Sequence, residues 1–269
     1  MTHITELSPL PSRTEREQIR CGSCALSQLC LPSGLDVAGT ARLDMIITRR
    51  RVLRDEQLFC VDEPFQTMYA VRFGHFKTFR VNLNGERQIL GFPMTSDVLG
   101  LDAIGPARHA SSVVALENSE VCAIPFTHFE QLSADLPSLQ HHFYRVLGHA
   151  ITRDQSAMLV MGKMRAEQKF AAFLVNLSAR YADRGYSPLR FRLRMSREEI
   201  GNYLGLTVES VSRLLLRFKQ KGLLRIDHRE VNITDRAGME ALATGQTTAE
   251  PIASRVHKPP LVAADHQFK

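Results

Sequence analysis

The chain has 269 residues, of which 44% are hydrophobic, and a net charge of +6. This length allows one large or two modest domains with real cores. Residues 1–20 contain no apolar stretch typical of a signal peptide, and no run of about 18 apolar residues could cross a bilayer. We therefore expect a cytoplasmic protein with no membrane partner, whose five cysteines are thiols rather than disulfides.

The positive charge is concentrated in one part of the chain. Residues 163–230 contain 15 Lys or Arg and 7 Asp or Glu, so this segment carries more positive charge than the chain as a whole. Such asymmetry is typical of a domain that meets a polyanion and is attached to one that does not. The alternative is a basic face that is merely solvated.

The first 136 residues predict a cysteine-rich segment followed by a β domain. Residues 1–35 are largely polar and contain three cysteines, whereas residues 36–136 form short apolar runs separated by turn residues. Many short strands of this kind favour a β-roll or barrel. The pair Asn84-Gly85 is typical of a type I′ turn and predicts a hairpin between residues 76–81 and 88–92.

Residues 137–162 predict a long dimerisation helix. Apolar residues recur there at three- and four-residue steps, at Leu139, Phe143, Val146, Leu147, Ala150, Ile151, Met158 and Met161. Asp154 falls where this stripe should continue, between Ile151 and Met158. In a pair of such helices the two Asp154 carboxylates would face each other and repel, so these three residues form a candidate dimerisation switch. The alternative is a partly exposed Asp at the edge of a curved helix.

Residues 163–240 predict a winged helix-turn-helix domain. After a helix over residues 166–181 and a short strand over 190–194, Ser196 and Glu199 form a capping box. Gly205 ends that helix and Thr207 caps the next, which makes a helix-turn-helix of residues 196–222. Residues 223–226 and 231–233 could pair as a wing. Residues 241–269 lack periodicity and predict a disordered tail, and the fold class is α+β.

The second helix of this motif has the face expected of a reader of double-stranded DNA. Its apolar face consists of Val211, Leu214, Leu215 and Phe218. Its outward face, from which side chains could reach base edges in the major groove, consists of Glu209, Ser212, Arg213 and Arg217. Three further basic residues are placed for phosphate contacts, namely Lys219, Lys221 and Arg225.

Three cysteines lie close together near the start of the chain. The spacing Cys21-x2-Cys24-x5-Cys30 could bind one metal centre, but zinc and iron-sulfur clusters commonly take four thiolates. Cys60 and Cys122 are the two candidates for the fourth. Zinc sites more often pair two Cys-x2-Cys motifs, so a single distant fourth ligand favours iron-sulfur.

Three stretches between residues 21 and 233 resemble the FNR-type oxygen-sensing regulators of the CRP/FNR family. They are CGSCALSQLCLP (21–32), SEVCAIPF (119–126) and IGNYLGLTVESVSR (200–213). The resemblance implies a β-roll of the cyclic-nucleotide-binding type and a [4Fe-4S] cluster held by Cys21, Cys24, Cys30 and Cys122. Cys60 matches no ligand position, and we interpret it as a small buried residue.

The same resemblance implies a mechanism. In such proteins the cluster permits a homodimer without oxygen, and oxygen converts it to a [2Fe-2S] form that loses the dimer, while Asp154 matches the position whose charge opposes association. Glu209, Ser212 and Arg213 would contact bases in a palindrome resembling TTGAT-N4-ATCAA, where binding activates or represses anaerobic genes. The turn at residues 72–76 would touch RNA polymerase by this resemblance, although on sequence alone a plain strand end is the better explanation.

Two alternatives concern the ligand. A cyclic-nucleotide receptor needs Gly-Glu and an Arg-Ser or Arg-Thr pair, whereas this chain has Leu99-Gly100-Leu101-Asp102 and Arg108-His109-Ala110-Ser111. A zinc-stabilised DNA-binding or interaction protein would use the thiols for folding.

An enzyme is not expected, because the histidines are scattered and neither a Gly-rich phosphate loop nor a nucleophile elbow is present.

Overall fold

The structure is a computed structural model that describes residues 21–82 and 84–245, apart from the side chains of Met161 and Lys163. Residues 1–20, and the predicted disordered tail from residue 246 onward, lie outside the described residues. Within the described ranges, no helix is long and apolar enough to cross a membrane.

The N-terminal half is a β-roll, as predicted. Helix α1 (Val37–Ile46) leads into eight strands: β1 Thr48–Val52, β2 Gln57–Phe59, β3 Thr67–Phe73, β4 Phe76–Val81, β5 Arg87–Gly91, β6 Val98–Leu99, β7 Ser112–Ala115 and β8 Ser119–Pro125. They form two antiparallel sheets with the orders β1-β8-β3-β6 and β2-β7-β4-β5. Apolar residues alternate along the strands, so one face of each sheet is buried in a common core that includes Val52, Leu58, Phe76, Val113 and Val121.

The β4–β5 hairpin forms, but its turn differs from the predicted one. Strand pairing ends at Val81 and Arg87, and the Asn82 N–H then donates to the Glu86 carbonyl at 2.9 Å. The Gly85 N–H also donates to the Asn82 carbonyl at 3.0 Å, so Asn84 and Gly85 are not the two central residues of the turn and the type I′ prediction is wrong. The Asn82 side chain provides the reason, because its Oδ1 accepts the N–H groups of Asn84 and Glu86, each at 2.9 Å.

Three helices follow the β-roll: α2 Phe126–Asp135, α3 Pro137–Lys163 and α4 Ala166–Asp183. Helix α3 has 27 residues and begins with Pro137, whose fixed φ suits the first turn of a helix. Its N-terminal half is anchored on the β-roll, where Leu139 and Phe143 are buried against Phe129 of α2. Its C-terminal half extends beyond this core.

The C-terminal part is a winged helix-turn-helix, as predicted. Its elements are β9 Arg190–Arg192, α5 Arg197–Leu204, α6 Val208–Gln220, β10 Leu224–Asp227, β11 Glu230–Ile233 and α7 Arg236–Thr244, and the wing has the strand order β10-β11-β9. Helix α7 contradicts the prediction that the tail starts at residue 241. Met239 and Ala243 are buried in the core of this domain, and the helix ends at Gly245 with φ +73°. A two-residue apolar stripe is too short to stand out in the sequence.

One of the core clusters contains residues from both halves. Phe92 of the β-roll packs against Phe173 of α4 and Tyr203 of α5, with ring centroids 6.2 and 5.3 Å away. Asn202 of α5 binds the backbone of the edge strand β5 through both polar atoms of its amide. Its Oδ1 accepts the Ile89 N–H and its Nδ2 donates to the Arg87 carbonyl, each at 2.7 Å. Helix α5 is therefore fixed to the β-roll.

Gly201 allows the close approach of α5 to the following turn. Its carbonyl accepts the Leu206 N–H at 2.8 Å, and a Cβ at Gly201 would lie 2.6 Å from the Leu206 carbonyl oxygen. We predict that Gly201→Ala lowers the free energy of unfolding by about 1–3 kcal/mol, because the turn must move. The matched control is Gly148→Ala in α3, where no atom lies within 4 Å and alanine should stabilise by up to about 1 kcal/mol. Urea denaturation followed by circular dichroism measures both, and equal stabilities would contradict the prediction.

Candidate functional site

The caps of α5 and α6 fix the helix-turn-helix. The Ser196 Oγ accepts the Glu199 N–H at 3.1 Å while the Glu199 carboxylate accepts the Ser196 N–H at 2.7 Å, which is the predicted capping box. Gly205 ends α5 with φ +65°, and the Thr207 Oγ1 accepts the Ser210 N–H at 3.2 Å at the start of α6. Local sequence thus determines where both helices begin and end.

Helix α6 separates an apolar from a polar face as predicted. Val211, Leu214, Leu215 and Phe218 are buried. On the other face Glu209, Arg213 and Arg217 are exposed and Ser212 is half-buried. Two residues that the sequence reasoning did not single out belong to this surface. Arg197 of α5 donates to the Ser212 hydroxyl at 3.2 Å, and Leu216 is 56% exposed.

Some of the charged side chains on this surface already form ion pairs within the protein, and others do not. Glu167 of α4 lies 2.7 Å from the Lys221 ammonium and 3.7 Å from the Arg217 guanidinium. In contrast, Arg213 and Lys219 form no ion pair with any residue that the structure describes. The pKa of Glu209 is lowered by backbone N–H groups at the start of α6 and by the Thr207 hydroxyl, so this carboxylate is an acceptor at neutral pH.

Four of the five thiols line a single cavity. Cys21, Cys24 and Cys30 lie on a loop with two 3-10 turns, and Cys122 lies on β8, where it is paired with Arg49 and Ala70 of the neighbouring strands. The cavity has an empty volume of about 480 Å³, which includes space open to solvent. The structure thus brings together the four cysteines that the family resemblance implied as ligands.

The geometry around the cavity does not converge on one point. Among the described residues, no group of three or more Cys, His, Asp or Glu side chains is arranged to hold a single metal ion. Zinc requires such convergence, because all four thiolates bind the same ion. A [4Fe-4S] cluster takes four thiolates, one on each iron, and so needs them around a larger volume.

Burial controls the charge of these thiols. It raises the pKa of Cys30 to about 12 and that of Cys122 to about 11, the latter although Arg72 and Arg49 lower it. The pKa of Cys21 is also raised, by burial first and then by a hydrogen bond with Asp44. The free thiols of Cys21, Cys30 and Cys122 are therefore protonated at neutral pH, and a bound cation would have to compensate for their deprotonation.

Two residues that the sequence reasoning missed tie the cysteine loop to helices. The Asp44 carboxylate of α1 accepts the Cys21 N–H at 2.7 Å. Burial lowers the pKa of His142 of α3 and the nearby Cys30 backbone raises it, while the buried His142 Nε2 has no hydrogen-bond partner among the described residues. Neither residue belongs to a recognisable local motif, so only the folded chain reveals the contacts.

Cys60 is not the buried residue that the sequence reasoning expected. It is exposed, in the turn after β2, and its Sγ lies 2.9 Å from the Gln57 Nε2. The prediction failed because Cys60 follows the buried pair Leu58 and Phe59 at the end of a strand, where the chain leaves the core.

The C-terminal half of α3 presents apolar side chains to solvent. Ile151 is 58% exposed and Met158 73%. The side chain of Asp154 is 71% exposed and lies beside Arg153. This exposed stripe contrasts with Leu139 and Phe143, which are buried in the same helix. Contiguous exposed apolar residues are typical of an interaction surface.

The β-roll offers no free phosphate site at the position discussed for cyclic nucleotides. The Asp102 carboxylate accepts the Ala110 N–H at 3.1 Å and the Ser111 hydroxyl at 2.9 Å, so an acidic group engages these donors. His109 is buried and stacks on Phe59, with ring centroids 3.8 Å apart. A carboxylate at this place would repel a nucleotide phosphate.

A β-roll joined to a winged helix-turn-helix with a partly basic outer face defines a DNA-binding transcription regulator. Comparison with family models agrees with this class. The Crp-like helix-turn-helix domain matches residues 168–242, and the cyclic nucleotide-binding domain matches residues 49–135.

Characterised relatives identify the family. The transcriptional regulatory protein Btr of Bordetella pertussis is 47% identical, over 82% of this chain and 92% of its own length. The fumarate and nitrate reduction regulatory protein of Salmonella typhimurium is 42% identical, over 84% of this chain and 90% of its own. The structure of FixK2 from Bradyrhizobium japonicum has a TM-score of 0.68 and 26% identity, covering 73% of this chain and 97% of that one. The chain therefore belongs to the CRP/FNR family, whose members are non-enzymatic DNA-binding regulators.

The thiols of the metal-free protein should differ in reactivity. Because the thiolate is the nucleophile, a raised pKa slows alkylation. We predict that a maleimide modifies the exposed Cys60 first, while Cys30 and Cys122 react slowly and their rates keep rising through pH 10, below their pKa values of about 12 and 11. Peptide mapping by mass spectrometry measures each rate, and Cys60→Ser should remove the fast phase. Fast labelling of Cys30 at pH 7 would contradict the burial of the site.

Proposed function

We propose that this protein is an oxygen-responsive transcription regulator in which Cys21, Cys24, Cys30 and Cys122 hold a [4Fe-4S] cluster. The observation that carries the proposal is that four thiols, three from a loop and one from a distant strand, line one cavity. Their number and type fit the cluster, which commonly takes four thiolates. When bound, the cluster would supply an oxygen-sensitive group enclosed by the loop that carries Cys21, Cys24 and Cys30 and by Cys122 of β8.

Packing connects this cavity to the long helix. Cys21 is buried in the same apolar cluster as Leu139 and Phe143 of α3, with Cys30, Cys122 and Leu147 at its edge. Such cores are close-packed, so a change in the volume of the cysteine loop cannot be absorbed locally. We infer that the loop shifts α3, with His142 as a direct contact between the two.

Helix α3 would then control assembly into a homodimer. Ile151 and Met158 would be covered by the same helix of a second copy, and burial of their exposed side chains favours that pairing. Asp154 lies between them, and its charge would face the partner's Asp154 and oppose pairing. A small shift of α3 would decide which effect prevails.

A dimer would place two α6 helices for binding to a palindrome in double-stranded DNA. The half-sites of such a palindrome lie about one helical turn apart. Glu209, Ser212, Arg213 and Arg217 would face the major groove, and the site would resemble TTGAT-N4-ATCAA. One relative's name refers to fumarate and nitrate reduction, and we infer activation or repression of anaerobic genes.

The turn at residues 72–76 would contact RNA polymerase. Within the turn at residues 72–76, Phe73 is 58% exposed whereas His75 is buried. Gly74 has φ +103°, and a Cβ there would lie 2.1 Å from the Ser119 Oγ. The turn is therefore rigid, and Phe73 is the side chain it offers to a polymerase subunit.

Iron and sulfide analysis of protein purified without oxygen tests the cluster. We expect a brown protein with four irons and four sulfides per chain, and Cys122→Ser should lose most of both. Cys60→Ser is the matched control and should retain them, because Cys60 lies outside the cavity. A colourless protein that retains one zinc ion per chain would refute the cluster and support the zinc-stabilised alternative.

DNA-binding measurements separate base contacts from phosphate contacts. We predict that Arg213→Ala weakens binding to the palindrome by about 1–3 kcal/mol and relaxes base preference. Lys219→Ala should weaken binding to the palindrome and to random DNA alike, because phosphates carry no sequence information. Lys219 is preferable to Lys221 here, since Glu167 already pairs with Lys221. Equal losses on both DNAs in both variants would contradict the assignment of Arg213.

A further inference from the structure

Asp97, in the turn before β6, is surrounded by three arginines. Its carboxylate lies 2.6 Å from Arg180 and 2.9 Å from Arg184 at the end of α4, and 3.3 Å from Arg153 of α3. It also accepts the Met94 N–H at 2.9 Å. Burial alone would raise the pKa of Asp97, but the three guanidinium groups and this N–H lower it, so the carboxylate is ionised.

The three arginines are not equivalent. The side chains of Arg180 and Arg184 are 16% and 7% exposed, and both also donate to backbone carbonyls. The side chain of Arg153 is 39% exposed and has no hydrogen bond or ion pair, among the described residues, other than those with two carboxylates. Its Nη1 lies 3.3 Å from Asp97 and its Nε 3.9 Å from Asp154.

We propose that Arg153 is shared between Asp97 and Asp154, and that this division sets how strongly Asp154 opposes dimerisation. Arg153 lies beside the carboxylate that would repel its copy, so it offsets part of that negative charge. Asp97 holds the same guanidinium at the β-roll and limits this effect. The inference rests on the proposed role of Asp154, and it adds that Asp97 and Arg153 act on dimerisation in opposite directions.

The expected effect is moderate. A single exposed ion pair contributes little free energy, but a symmetric dimer would contain the Arg153–Asp154 pair twice. Each substitution should therefore change the dimer dissociation constant about three- to tenfold. Since the groups are partly exposed, the difference should shrink at high ionic strength. A purely structural role of the arginine cluster would change stability without this salt dependence.

Sedimentation velocity of the full chain tests the proposal. Asp154→Ala should dimerise in air, which tests the repulsion itself. Asp97→Asn should strengthen the dimer in air, because Arg153 is released to Asp154. Arg153→Gln should weaken the dimer of protein prepared without oxygen, and the double variant Asp97→Asn/Arg153→Gln should lose the gain made by Asp97→Asn.

Controls separate the inference from the function on which it rests. Arg145→Gln removes the same charge from α3 about 12 Å along the helix from residue 153 and should leave dimerisation unchanged. If Asp154→Ala stays monomeric in air, the proposed repulsion is wrong. If Asp154→Ala dimerises but Arg153→Gln behaves like Arg145→Gln, only the sharing of Arg153 is overturned. Arg153→Gln alters a half-exposed side chain, so it gives this answer even where Asp97→Asn fails to fold.

Discussion

The ionised Asp97 links three parts of this molecule that also pack against one another. Burying an unpaired carboxylate is costly, so its environment must supply positive charge and hydrogen bonds. Here that charge comes from Arg153 of the long helix and from Arg180 and Arg184 of the first helix of the DNA-binding domain. The β-roll, the helix proposed to dimerise and the DNA-reading motif are therefore held in one arrangement around a single carboxylate.

The cysteine cavity lies near the N-terminal half of α3, whereas Arg153 lies in the C-terminal half of this helix. Cys21 is buried and Cys30 and Cys122 are partly buried among apolar residues, which makes their charged thiolates unfavourable without a cation, and the surrounding core includes Leu139 and Phe143 of α3. Binding of a group in the cavity would therefore change how α3 packs, and not only the conformation of the cysteine loop. Helix α3 connects the core around the cavity with the exposed face where Asp154 lies.

Much of the site could be predicted where its chemistry is local. The capping box of Ser196 and Glu199, the αL residue Gly205 and the cap Thr207 each satisfy backbone groups within a few residues, and each was found as predicted. Cys60 and the hairpin turn at Asn82 were predicted wrongly. In both cases the result depends on the point where a strand leaves the sheet, which neighbouring strands decide.

The sequence by itself determined the helix-turn-helix, the β-roll, the long amphipathic helix and three of the four thiols, because short-range periodicity and capping encode them. Only the tertiary structure brought Cys122 into the same cavity as the loop cysteines, since strand pairing sets its position. It also decided the contacts of Asp44, His142 and Asp97, whose partners are distant in the chain. Long-range ion pairs and hydrogen bonds leave no periodic trace in a sequence, because they depend on which surfaces meet when the chain folds.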